Sequence, residues 1–224
     1  MAGRLLFAGT EVRSLEIAGY IDVRRARELV GDGLRVRELG GGDAEVGLLV
    51  LRMRRLAPVG LPCLGVDYGE LLFRVGVDLE DGAPAWFAVA CVVDARLIAV
   101  VARSLIRYPV RRVARIDIGD SVASVVDGDE TVLSLTLARR DKMDSAAAPP
   151  VRPMFVRAGG ELLQVPWAEV EAPRQWHAGV SIFPGPLELA VFGTHARWTA
   201  AAVLEGRGHR CGLAGRATAR HAIR

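Results

Sequence analysis

Apolar and polar residues alternate with a period of two over several stretches of this chain, which predicts a protein built mainly of β-strands. Over residues 68–79, Leu71, Phe73, Val75 and Val77 fall on one face, and Tyr68, Glu70, Leu72 and Arg74 fall on the other. The first row is a core row, while the second has the mixed composition of a polar pocket lining or a half-exposed sheet face. Residues 45–54 form another strand, with Leu49, Leu51 and Met53 on one side and Val46, Leu48 and Val50 on the other. The β-branched and aromatic run 86–93 predicts a buried strand. It leads into a short helix, 95 to about 104, with Asp94 as its cap and Leu97, Ile98, Val101 and Leu105 as its apolar positions. Tyr108-Pro109 ends that helix, because proline disfavours helical geometry in the residue before it, and 113–118 is the next strand.

The remaining elements are shorter. Asp22 caps a helix to Val30, which Gly31-Asp32-Gly33 terminates, and 34–39 is a short strand. Gly40-Gly41-Gly42-Asp43 is a turn; it lacks the lysine and hydroxyl of a phosphate-binding loop. Residues 57–64, with two prolines, form a loop, and 10–19 carry no clear period. Strands at 121–126 and 131–138 flank the turn Asp127-Gly128-Asp129, with Leu133, Leu135 and Leu137 facing one way. A loop at 141–153 precedes a hairpin turning at Gly159-Gly160, then a strand at 187–192 and a helix at 196–204. Closely spaced turns and few helices predict an α+β chain that is mainly antiparallel β. One domain spans 1–205, and an Arg/Gly/Ala tail, 206–224, is loosely held.

Composition narrows the chemistry. The 224 residues are half hydrophobic and carry a net charge of +3 from interspersed Arg and Asp/Glu, so no basic face for nucleic acid is expected. No apolar run reaches the length of a membrane span, and the first residues do not form a signal peptide. Cys63, Cys91 and Cys211 show no metal-ligand or disulfide spacing, which fits reduced thiols and a cytoplasmic setting. His177, His195, His209 and His221 form no metal-binding pair, and there is no nucleophile-elbow serine, so neither metal nor cofactor is expected. Lys142 is the only lysine. Arginine cannot replace it as an amine nucleophile, because its guanidinium stays protonated.

Four segments, in order, resemble the acetoacetate decarboxylase superfamily and a related set of bacterial proteins with the same fold. They are Tyr68-Gly69-Glu70-Leu71-Leu72-Phe73, Ala85-Trp86-Phe87, Val93-Asp94-Ala95, and the run Ala102-Arg103-Ser104-Leu105-Ile106-Arg107-Tyr108-Pro109-Val110-Arg111-Arg112-Val113-Ala114. The resemblance is best over residues 45–140 and implies a curved, largely antiparallel cone or barrel sheet around an internal pocket. In the decarboxylases of that family, a lysine directly after the motif proline forms a Schiff base with a β-keto acid, and a second lysine keeps the first unprotonated. Aligned without a gap, Arg103 and Pro109 are kept, but Val110 stands at the Schiff-base position and Arg111 at its companion. A valine cannot form an imine, and Lys142 lies far away in the predicted 141–153 loop.

The resemblance therefore implies a pocket binding a small anionic metabolite, an organic acid, without Schiff-base decarboxylation. Tyr68, Glu70, Arg74, Arg103 and Arg111 are its candidate ligand-binding residues. The alternatives are a non-imine lyase or hydratase with Glu70 as acid/base, and a structural or protein-interaction domain with a collapsed pocket. The last would present an apolar patch around Trp167, Trp176 or Trp198. A homodimer is the expected assembly from the prevalence of symmetric pairs.

Overall fold

A computed structural model describes residues 5–106, 110–142, 152–165, 167–169, 174–183, 185–212 and 215–216. The chain opens with β1 (Leu5–Asp22), α1 (Val23–Val30), β2 (Arg35–Val36), β3 (Glu38–Gly40) and β4 (Asp43–Pro58). A 3₁₀ turn, Pro62–Leu64, leads to β5 (Val66–Asp78) and β6 (Pro84–Val93), followed by α2 (Arg96–Val101) and a wide turn, Ala102–Ile106. Next come β7 (Val110–Arg112), β8 (Arg115–Ile118), β9 (Val122–Asp127), β10 (Glu130–Lys142), β11 (Met154–Ala158), β12 (Glu161–Val165), β13 (Trp167–Glu169) and β14 (Arg174–Phe183). The described chain ends with α3 (Pro186–Phe192), β15 (Arg197–Gly212) and β16 (Gly215–Arg216).

All the strands hydrogen-bond into one sheet, with the main order β16-β12-β11-β6-β5-β4-β1-β15-β14-β10-β9-β8. Its pairs are antiparallel except β11 with β6 and β6 with β7. Among the described residues the sheet curls without closing into a barrel. Strand β8 folds back over β5, where Ile116 lies against Gly69 so closely that a Cβ on Gly69 would come 2.7 Å from the Ile116 Cβ.

The two rows read from β4 and β5 bury on opposite faces. Val46, Leu48, Val50, Leu71, Phe73 and Val75 join the larger core, together with Leu133, Leu135 and Leu137 of β10. Leu49, Leu51, Met53, Tyr68 and Leu72 join a second core on the other face, which α2, β7, β11 and β12 cover. Both faces of the central strands are therefore apolar, and that settles their register, because a slip of one residue would exchange the faces.

Asp22 caps α1 as expected, its carboxylate accepting from the Arg24 backbone N–H at 2.8 Å and holding its own pKa down. Asp94 does not cap α2. Its Oδ1 accepts from the Gly69 N–H at 2.7 Å and its Oδ2 from Arg52 Nη1 at 3.0 Å, so it stitches β5 to β4 instead. The 108–109 stop lies outside the described residues.

Two further expectations are corrected. Residues 187–192 are helical and 197–212 are strand, the reverse of the sequence reading. Pro186 starts α3, and Gly193, left-handed at φ 69°, ends it by donating its N–H to Leu189 at 2.8 Å. The alanine-rich start of β15 is held extended by β1, Ala200 to Ala202 facing Ala18 to Glu16. That long ladder outweighs alanine's helical preference. The period-less stretch 10–19 is the middle of β1, where register shifts between Ala8 and Thr10 and between Glu11 and Arg13 break the alternation. Strand β15 also crosses the 205/206 boundary and runs to Gly212.

The Gly69 contact gives a direct test. Gly69→Ala forces a shift of Ile116 or of the Asp94 carboxylate, which would stand 3.0 Å from the new Cβ. It is expected to lower stability by about 1–3 kcal/mol in urea unfolding. Unchanged stability would show that β8 does not depend on this approach.

Candidate functional site

Strand β5 brings Tyr68 and Glu70 to the second face, and the antiparallel partner β6 places Cys91 opposite Leu72 on that same face. These side chains form the floor of a cavity of about 260 Å³. Its walls are apolar, including Val93, Val110, Met154 and Val165, and α2 contributes Ile98 and Val101. Cys211, from the far end of β15, completes the floor.

The floor is a hydrogen-bonded group centred on one carboxylate. Tyr68 Oη donates to Glu70 Oε2 at 3.2 Å, and Cys91 Sγ donates to Glu70 Oε1 at 3.4 Å. Burial pushes the Tyr68 phenol well above its ordinary value, and the Glu70 charge adds to it. The Cys91 thiol is raised for the same two reasons, and Cys211 is pushed up to about 12, by burial first and by Glu70 second. Around the carboxylate, then, phenol and thiols stay protonated at neutral pH and act as donors rather than nucleophiles.

Val110 reaches the wall because of the backbone around it. Strand β7 runs parallel to β6 with Val110 beside Cys91, and Arg103 Nε donates to the Val110 carbonyl at 2.7 Å. Arg103 thus sits behind the wall, exposed, and clamps the main chain at the position where the resemblance puts the lost lysine. Arg111, next along β7, points outward and pairs with Asp127. Arg74 is about 13 Å along β5 from Glu70, by strand rise. It is buried there, paired with Glu16 at 3.3 Å and stacked on Trp86 at 4.3 Å, and Arg152 covers the other contact with that ring at 4.7 Å. Of the six residues singled out in sequence, the structure therefore gathers Tyr68, Glu70 and Val110 at the cavity and leaves Arg74, Arg103 and Arg111 outside its lining.

The two cavity cysteines were not expected. Cys91 was open to detection, since alternation along β6 pairs it with Leu72 and so with the Glu70 row. Cys211 was not, because its position depends on β15 extending through a stretch with no apolar period. Among the described residues no group of three or more His, Cys, Asp or Glu side chains forms a metal site, and no helix is long and apolar enough to cross a membrane. The side chains of Trp167, Trp176, His177 and Lys142 lie outside the described residues. Trp198 packs against Phe192 with ring centroids 6.2 Å apart, at the edge of the larger core.

No protein-family model and no curated protein matches the chain. Solved structures do. The enduracididine biosynthesis enzyme MppR, complexed with the condensation product of pyruvate and imidazole 4-carboxaldehyde, superposes with a TM-score of 0.72 at 14% identity, over 96% of this chain and 90% of that one. Acetoacetate decarboxylase from Legionella pneumophila gives 0.72 at 11% identity, over 100% and 90%. An acetoacetate decarboxylase-like enzyme from Sphingomonas wittichii RW1 gives 0.70 at 17%, over 96% and 93%. The chain has the acetoacetate decarboxylase-like fold. Identities this low fit a divergent version of it.

The floor chemistry predicts an order of thiol reactivity. Exposed Cys63 is expected to react first with iodoacetamide at pH 8, with Cys91 and Cys211 protected until the protein unfolds. Glu70→Gln removes one of the two causes raising Cys211, so Cys211 alkylation at pH 9 should quicken while Cys63 keeps its rate. Peptide mass analysis reads both; native labelling of Cys211 as fast as Cys63 would contradict the assigned environment.

Proposed function

We propose that this acetoacetate decarboxylase-fold protein binds a small organic acid in the cavity, carboxyl group first, and does not catalyse decarboxylation through an imine. The observation that carries the reading is that Val110 and Glu70 line the same cavity. A hydrocarbon wall thus faces the carboxylate where the resemblance calls for an amine.

The floor dictates how an acid would sit. Among the described residues no arginine or lysine lines the cavity, and the polar group at its floor is Glu70, held by hydrogen bonds from Tyr68 and Cys91. A carboxyl that keeps its proton donates to Glu70. The two carboxyls then share one proton, as paired carboxyls in a low-dielectric site do. Tyr68 supplies a second polar contact. A second reading draws on the Tyr68–Glu70 hydrogen bond: Glu70 acts as acid/base on a proton next to a carbonyl, in a non-imine lyase or hydratase.

Binding of the acid is then linked to uptake of one proton. Where the free acid is ionised, above about pH 5, the apparent affinity for hexanoic acid should fall tenfold for each unit of rising pH. Glu70→Gln should flatten that slope. A pH-independent affinity in the parent protein would refute the shared proton. Imine chemistry is tested separately by borohydride reduction in the presence of pyruvate or acetoacetate. No adduct is expected on the parent protein, whereas Val110→Lys should gain one, since burial lowers a lysine pKa and frees its amine. A reduced adduct on Lys142 of the parent would overturn the reading.

A further inference from the structure

We infer that the acid bound in this cavity is an unbranched aliphatic acid of about eight carbons whose tail reaches a mouth between the Pro62–Leu64 turn and α2. The inference rests on the binding mode proposed above and adds the class of ligand.

Among the described residues the polar side chains of the lining, Tyr68, Glu70, Cys91 and Cys211, lie together at the floor, and the rest of the lining is apolar. Leu64 and Leu97 each line the cavity and yet are 58% and 57% exposed, which places them at its mouth. The loop before the Pro62–Leu64 turn exposes Val59 and Leu61, and α2 exposes Val100, each more than half, although none of the three lines the cavity. Scattered exposed leucines need no explanation, but an exposed leucine on each side of the mouth of an apolar cavity, Leu64 and Leu97, marks a site for an apolar occupant. An amphiphile entering head first covers the lining with its first carbons and the lips with its last.

Size sets the length. An apolar cavity of about 150 Å³ accepts benzene. In proportion, the 260 Å³ here accepts about ten heavy atoms, the number in octanoic acid. Each methylene moved out of water is worth about a fourfold gain in affinity.

The test is a calorimetric or ligand-observed NMR series of butanoic, hexanoic, octanoic and decanoic acids at pH 5.5, with 1-octanol and 1-hexanol as uncharged controls. Affinity is expected to rise about fourfold per methylene as far as octanoic acid. Leu64→Ser/Leu97→Ser, at the exposed mouth of the cavity, should weaken octanoic and decanoic acids about tenfold and leave butanoic acid unchanged, with an unaltered thermal melt. Affinity independent of chain length, or equal weakening of all four acids by the lip substitutions, would overturn the tail while leaving the head-first reading intact. Length-dependent binding of the alcohols without binding of the acids would keep the tail and overturn the carboxyl head. Failure of both series to bind would overturn both.

Discussion

The structure depends on one close approach, that of Ile116 to Gly69, with the Asp94 carboxylate holding the Gly69 N–H beside it. Only a residue without a Cβ lets β8 fold back there, and that contact brings the far end of the sheet over its centre. Because side chains alternate along a strand, the orientation of Gly69 settles that of its neighbours. With Gly69 facing the larger core, Tyr68 and Glu70 must face the other way. A packing constraint on one face therefore sets the polar floor on the other.

That floor is costly to build, and its components show how it is kept. A carboxylate in an apolar cavity loses much of its hydration, and hydrogen bonds from Tyr68 and Cys91 replace part of it. The same burial keeps the phenol and thiols protonated, so the donors that stabilise Glu70 are the ones its charge maintains. The arginines that sequence reasoning assigned to an anion are occupied elsewhere: Arg74 with Glu16 and Trp86, Arg111 with Asp127, and Arg103 with a main-chain carbonyl.

The central sheet was legible because β4, β5 and β6 are buried on both faces, and apolar alternation with β-branched residues reports such strands directly. The shared face of Tyr68 and Glu70 followed from the period of β5. The edges and the long partner strands were not legible. In β1, Glu11 and Arg13 interrupt the pattern at a bulge, and in β15 three alanines favour a helix in isolation. Both take their conformation from each other, through pairing between residues nearly two hundred positions apart, which no local window contains. Cys211 was missed for this reason, and Asp94 was assigned to the wrong bond because a cap and a cross-strand acceptor look the same in sequence.

The bond that Arg103 makes does not depend on which side chain stands at position 110. Its Nε binds the carbonyl of residue 110, an atom that every amino acid supplies, and not a side chain. The clamp therefore fixes where the wall residue points without constraining what that residue is. The side chain at position 110 can therefore change while the β6–β7 ladder and the clamp stay intact, and the change alters only the cavity wall. In this fold, cavity geometry is carried by the main chain, and its chemistry by a single replaceable side chain.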